Sequence, residues 1–291
     1  MIFQGSFVAL ITPFRDGKVD EDAVRKMVQW HIGQGTDGLV PMGTTGESAT
    51  LDFKEHSRVT EIVVEEAAGR LPVIAGAGSN DTRVAILNAN HAQKLGADAA
   101  LHVAGYYNRP SQEGLFRHFE AVHEATELPI IVYNIPPRAV VDILPETMAR
   151  IAELPRVVGV KDATGDLTRP IRERLLIDGE FSFLSGEDGT AVAYNAAGGN
   201  GCISVTANIA PTLCAQMQKA CRDGDFSRAA AIQQRLMPLH LALFAEPSPA
   251  GAKYAASLLG LCTEACRLPI VPLTDGAKVA IRKAMQDLDL I

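Results

Sequence analysis

Eight short apolar runs, each followed by a stretch of helical period, fill the first 207 residues and leave few folds open. The runs are Phe7–Ile11, Gly38–Met42, Val73–Ala75, Ala100–Val103, Ile130–Tyr133, Val157–Val160, Phe181–Leu184 and Cys202–Val205. Continuous short runs of this kind read as strands buried on both faces, the mark of a parallel sheet. Helical segments near 21–33, 54–68, 82–95, 112–126, 145–153, 168–177 and 188–197 separate them. The alternation predicts an α/β fold, most economically a closed (β/α)8 TIM barrel. A doubly wound sheet is the alternative, but its glycine fingerprint is missing. Local punctuation recurs with the unit. Gln34-Gly35-Thr36-Asp37-Gly38-Leu39 and Leu95-Gly96-Ala97-Asp98-Ala99-Ala100 both set a glycine cap and a turn before a strand. Leu71-Pro72, Leu128-Pro129 and Leu154-Pro155 introduce strands where a helix must already have stopped.

Beyond residue 207 the pattern is helical only, near 211–222, 225–243, 250–261 and 275–288. The expected division is a barrel over 1–224 and a small C-terminal helical bundle over 225–291, with Glu246-Pro247-Ser248-Pro249 breaking the bundle. A hydrophobic content of 47% supports a core of that size. The net charge of −7 and pI near 5.5 argue against nucleic acid or an anionic membrane surface as partner. They leave a small anionic substrate open. No run is long enough for a membrane span, and Met1-Ile2-Phe3-Gln4-Gly5-Ser6 lacks the basic start of a leader. Cys202, Cys214, Cys221, Cys262 and Cys266 form no disulfide framework, so reduced, mostly buried thiols in the cytoplasm are expected. No histidine pairing completes a metal site. Trp30 reads as core.

In a parallel barrel, active residues gather at the C-terminal ends of strands. The sixth run delivers Lys161 there, ahead of Asp162-Ala163-Thr164-Gly165. An ordinary lysine leaves only about one amine in 2,500 uncharged at neutral pH. Burial favours the neutral form, which can attack a carbonyl and form a Schiff base. A strand-end lysine reaching out to water is the plainer reading. The neighbouring strand ends bear on the choice. Gly43-Thr44-Thr45-Gly46-Glu47-Ser48 offers hydroxyls and amides for a carboxylate or a proton relay, and is no phosphate loop. Tyr106-Tyr107-Asn108-Arg109-Pro110 and Tyr133-Asn134-Ile135-Pro136-Pro137-Arg138 add phenols for proton transfer and an arginine suited to a carboxylate. Packing tyrosines and a surface ion pair at Arg138 are the alternatives.

In order and at barrel spacing, these motifs and Arg235-Leu236-Met237-Pro238-Leu239-His240 are what carry a family resemblance. The chain resembles the pyruvate-dependent class I aldolases of the dihydrodipicolinate synthase and N-acetylneuraminate lyase superfamily along essentially its whole length, and is most similar to the first branch. The resemblance implies an imine between Lys161 and pyruvate, with no cofactor, and L-aspartate 4-semialdehyde as second substrate. It implies Tyr133 as acid/base, with Thr44 and Tyr107 completing the relay and Tyr107 reaching in from a neighbouring subunit. Thr45 would bind the pyruvate carboxylate and Arg138 that of the aldehyde, while Gly186 and Ile203 shape the pocket. Homotetramers built as dimers of dimers are common in the family. Ser48, Ala49, His56, Asn80 and Tyr106 match an effector site for lysine.

Three departures from the family pattern stand out. Ala104-Gly105 replace the usual Thr-Pro, which frees the backbone ahead of Tyr107. Glu246-Pro247-Ser248-Pro249-Ala250-Gly251 differs from the common Asn-Pro-x-Pro-Val-Lys. Phe53 and Val84 replace a His and a Glu of lysine-inhibited members, which predicts weak or absent inhibition by lysine. Another aldolase of the superfamily, acting on a neuraminate or keto-deoxy sugar acid, and a non-catalytic binding relative are the competing readings.

Overall fold

The computed structural model describes residues 3–291; Met1 and Ile2, which open the segment read as lacking a leader, lie outside the described residues. Its eight principal strands are β1 (Gly5–Ala9), β2 (Gly38–Val40), β3 (Ile74–Gly76), β4 (Ala99–Val103), β5 (Ile130–Asn134), β6 (Val157–Asp162), β7 (Ser182–Ser185) and β8 (Gly201–Ser204). They pair in parallel in the order β2-β1-β8-β7-β6-β5-β4-β3, and a parallel bridge between Leu39 and Val73 joins the two ends of that row. The expected TIM barrel is the fold.

Period-two alternation sorts the strands between two layers, apart from one extra residue in β6 opposite Ile130 and Ile131. On β5, Ile131 and Tyr133 join Leu101, Leu184 and Ile203 inside the barrel. Ile130 and Val132 face the helices with Leu115, Phe119 and Met148. The helix α1 (Glu21–Gly33) starts on the Asp20 cap, and α2 (Phe53–Ala67) on a reciprocal capping box between Asp52 and Glu55. Around the ring follow α3 (Thr82–Leu95), α4 (Gln112–Ala125), α5 (Pro145–Ala152), α6 (Arg169–Arg174), α7 (Ala191–Ala196) and α8 (Pro211–Arg222).

The C-terminal helices α9 (Phe226–Leu243), α10 (Ala250–Leu258) and α11 (Asp275–Gln286) pack on the β1 and β2 side. There Leu236, Ile281 and Met285 share one apolar cluster with Val8, Leu39 and Met27. Two elements escape the periodicity argument. A hairpin of Phe14–Arg15 with Lys18–Val19 is too short to show a period. The single helical turn Pro136–Ala139 opens on two prolines, which fit a first turn but carry no apolar stripe. Cys202 and Cys214 are buried, but Cys221, Cys262 and Cys266 are only partly covered, so the expectation of mostly buried thiols is corrected. Trp30 is partly covered and stands edge-on to His31. Among the described residues no helix is long and apolar enough to cross a membrane, and no group of three His, Cys, Asp or Glu side chains could hold a metal.

Candidate active site

Register places Tyr133 of β5 directly beside Lys161 of β6, and Lys161 beside Leu184 of β7. Both Tyr133 and Lys161 therefore point into the barrel near its C-terminal mouth, and both are over nine-tenths buried. The Lys161 Nζ lies 4.1 Å from the Tyr133 ring centroid, close enough for the ring face to attract the ammonium. Lys161 does not snorkel to bulk water. Gly186, after β7, backs onto it: a Cβ there would stand 2.9 Å from Ala163 Cβ and 3.1 Å from Lys161 Cε. Only glycine lets this loop approach the lysine stem so closely.

A cavity of about 610 Å³ opens beside Tyr133. Thr44, Tyr133 and Arg138 line it, as do Ser48, Ala49, His56 and Tyr106. The structure thus brings Thr44, Tyr133 and Arg138 to one space with four of the five expected effector residues, and leaves Thr45, Tyr107 and Asn80 off its wall. Phe53 and Val84 also face it, both more than two-fifths exposed. Burial, with His91 adding, pushes the His56 imidazole down to about 4 against the opposing Gly76 contact, so the cavity wall is uncharged there at neutral pH. Thr45 is buried beneath the turn, and Ile203 packs in the barrel interior against the Tyr133 cluster.

Tyr107 and Asn80 are outside the cavity wall. Tyr107 is 87% exposed with φ +68°, directed away from its own barrel. Its loop is tied to the segment ahead of α3 by Asn108, whose Nδ2 donates to the Asn80 carbonyl at 2.7 Å. Gly105 packs against Pro110, where a Cβ would come within 3.1 Å of Cγ.

Two polar groupings escape sequence reasoning. The first is a buried ion pair: Lys253 Nζ of α10 stands 2.5 Å from Glu47 Oε1, at 0% and 3% side-chain exposure. It joins the C-terminal helices to the turn that carries Thr44 and Thr45. Burial holds the Lys253 ammonium below its ordinary value, with Glu47 opposing. The second lies behind β5 and β6. Because successive residues alternate faces, Asn134 and Asp162 point outward, away from Tyr133 and Lys161. There Arg169 and Glu173 of α6 and Tyr194 of α7 surround Asp162, all buried. Burial first, then Asp162, pushes the Glu173 carboxyl from its ordinary 4.5 up to about 8, against the pull of Arg169.

That shift has a stability consequence. Below pH 4.5 Glu173 is protonated folded or unfolded, and its burial costs no ionisation energy. As pH rises from about 4.5 to about 8, the unfolded chain releases a proton that the folded chain keeps, so stability drains away across that window and then levels. Glu173→Gln is expected to match the parent near pH 4 and to be more stable at pH 8.5, by on the order of a few kcal/mol. Thermal melts across that range check it; a difference independent of pH would rule the mechanism out.

A family model described as the dihydrodipicolinate synthetase family matches residues 2–288. The chain belongs to this family. It is 58% identical, over the full length of both, to the 4-hydroxy-tetrahydrodipicolinate synthase of Acidiphilium cryptum (strain JF-5). The crystal structure of dihydrodipicolinate synthase from Aquifex aeolicus superposes with a TM-score of 0.97 at 41% identity, covering 99% of each chain. That of the enzyme from Cyanidioschyzon merolae, solved with lysine bound, gives 0.97 at 36%, covering all of both. Family membership gives the Lys161 and Tyr133 pair a chemical context that burial alone does not.

Proposed function

We propose that the chain is a 4-hydroxy-tetrahydrodipicolinate synthase, a class I lyase condensing pyruvate with L-aspartate 4-semialdehyde on the diaminopimelate route to lysine. The observation that carries this is a buried Lys161 amine against Tyr133 at the barrel mouth, in a chain 58% identical end to end to a synthase of that name. The Lys161 amine attacks the keto carbon of pyruvate and water leaves, forming an imine. Once protonated, the imine nitrogen accepts the electron pair released when a methyl proton departs, which gives an enamine. The enamine carbon attacks the aldehyde, whose oxygen takes up a proton. The aldehyde substrate's own amine then adds to the imine carbon, closes the six-membered ring and displaces Lys161. The lysine is itself the electron sink, so the reading assigns no cofactor.

In this reading Tyr133 moves the protons, with Thr44 and the Tyr107 of a neighbouring copy beside it. Thr45 holds the pyruvate carboxylate and Arg138 that of the aldehyde, by paired hydrogen bonds. Gly186 and Ile203 shape the pocket around the nucleophile. The exposure of Tyr107 supports an assembly in which it is donated between subunits, as in a dimer of dimers. The barrel, 1–224, carries the chemistry, and 225–291 braces it. A cytoplasmic location follows from the pathway.

The decisive assay couples product formation from the two substrates to a reductase that consumes the product. Turnover supports the reading; folded protein that forms the pyruvate imine but ignores the aldehyde would move it to another aldolase. Lysine is expected to inhibit weakly or not at all, because apolar Phe53 and Val84 face the cavity beside Ser48, Ala49, His56 and Tyr106. No carboxylate at those two positions meets an effector ammonium. Clear inhibition at sub-millimolar lysine would overturn this.

A further inference from the structure

Arg138 rides on a strained excursion. After Asn134 the chain makes the single turn Pro136–Ala139, then passes through Val140 at φ +60°, before returning at Asp142 and Ile143. A β-branched residue in the left-handed region is a genuine outlier. Such backbone costs about 1–3 kcal/mol and persists only where its surroundings over-determine it. Arg138 itself is exposed at the cavity rim. What fixes its position must therefore be the anchoring of the excursion's ends.

The return end is anchored from three sides. Asn134 donates from Nδ2 to Asp142 Oδ1 at 2.8 Å and accepts from the Ile143 amide at 3.2 Å. Gln112 of α4 donates to the Asp142 carbonyl at 2.7 Å. Arg169, 4% exposed, donates from Nη1 to the Ile143 carbonyl at 2.7 Å and pairs through Nη2 with the Asp142 carboxylate. Of the three, only Arg169 grips both backbone and side chain with a charge. Its planar fork makes the two contacts at once, which an ammonium does not reproduce.

We propose that Arg169 is a positioning residue for Arg138, setting where the second substrate's carboxylate is bound. The inference rests on the condensation reading given above. Arg169 touches neither substrate. It holds the Asp142–Ile143 return and through it the geometry of the strained turn, on the outward side of the wall whose inner side carries Tyr133. Its effect is accordingly on the aldehyde and not on pyruvate, whose imine forms on β6.

The test uses the full-length protein and two variants, Arg169→Lys and Asp142→Asn. Asp142→Asn keeps the side-chain size at a position one-third exposed, so it carries the test should Arg169→Lys fold poorly. Each is expected to raise KM for L-aspartate 4-semialdehyde about ten- to a hundredfold, the scale of a modest misplacement of a binding group. KM for pyruvate and borohydride trapping of the pyruvate imine should stay within about twofold, since neither uses Arg138. Hydrogen exchange should rise in residues 136–143 and be unchanged on β7 and β8. A parallel loss for both substrates would reduce Arg169 to general scaffolding and overturn the proposal, as would an unchanged aldehyde KM. Wild-type protein that forms the imine yet never consumes the aldehyde would instead sink the functional reading, and this inference with it.

Discussion

Lys161→Ala is expected to abolish condensation, by roughly 10,000-fold or more, while leaving the fold intact. Removing the atom that carries a covalent intermediate removes the pathway and not merely some binding energy. The fold survives because the lysine is neither a core anchor nor an ion-pair partner. The Tyr133 ring and the Gly186 loop lie against it, and shortening the side chain leaves both in place. The readout is threefold. Turnover vanishes, borohydride with pyruvate no longer adds mass at the site, and the melting temperature shifts by a few degrees at most. Tyr133→Phe provides the contrast. It should still trap pyruvate but turn over about 100- to 10,000-fold slower, the range typical of a lost general acid or base. Residual turnover in Lys161→Ala approaching the parent rate would mean that another amine is the nucleophile.

The second large effect concerns stability. Lys253→Met is expected to cost roughly 3–5 kcal/mol, because it strands the Glu47 carboxylate away from water. At this chain length that corresponds to a fall of about 10 °C in melting temperature. Glu47 keeps the Arg267 amide, which donates to Oε2 at 2.8 Å and offsets only part of the charge. The ammonium also sits 3.9 Å from the Phe14 ring centroid, a contact that methionine replaces with ordinary apolar packing. The double variant Glu47→Gln/Lys253→Met removes both charges and keeps an acceptor for Arg267. It should recover more than half of the loss, since a buried pair is costly mainly when broken on one side. A double variant as unstable as the single would show that packing, and not the stranded charge, dominates.

The legibility of this protein in its sequence divides along physical lines. Strands and barrel closure were readable because each apolar run is short, bounded by Pro or Gly and followed by a helix, so that neighbouring units could only pair in parallel. Lys161 and Tyr133 were readable for the same reason: a strand end is a fixed place in such a fold. Arg169, Asp142 and Glu173 were not. Arg169 and Glu173 lie one turn apart on α6 and Asp142 in the loop after β5, their residue types normally mark solvated surface, and only packing of α6 over the outward faces of β5 and β6 brings them together. Lys253 looked like any helical lysine. The one signal for it was an acid, Glu47, inside a turn otherwise built of small and hydroxyl residues, which asks for a distant cation. Chain breaks within helical stretches were also hard to read: 250–261 stops at Leu258, ahead of Gly260 at φ +68°. Tyr107 was identified by its motif, but its outward direction is a property of the folded loop.

The paired dipeptides Tyr133-Asn134 and Lys161-Asp162 put reagent and support back to back across one wall. Each reactive side chain faces the barrel interior, and the very next residue faces the buried network behind it. A slip of one residue in either strand would exchange them, turning a carboxylate or an amide toward the substrate and forcing a lysine or a phenol among buried charges. Both halves of such an exchange are costly, so the two faces proofread each other's alignment. Chain length can drift in the loops above the mouth, and one extra residue is taken up where the register shifts between Ile130 and Ile131, but at the mouth-side ends of these two strands an inserted or deleted residue is read twice.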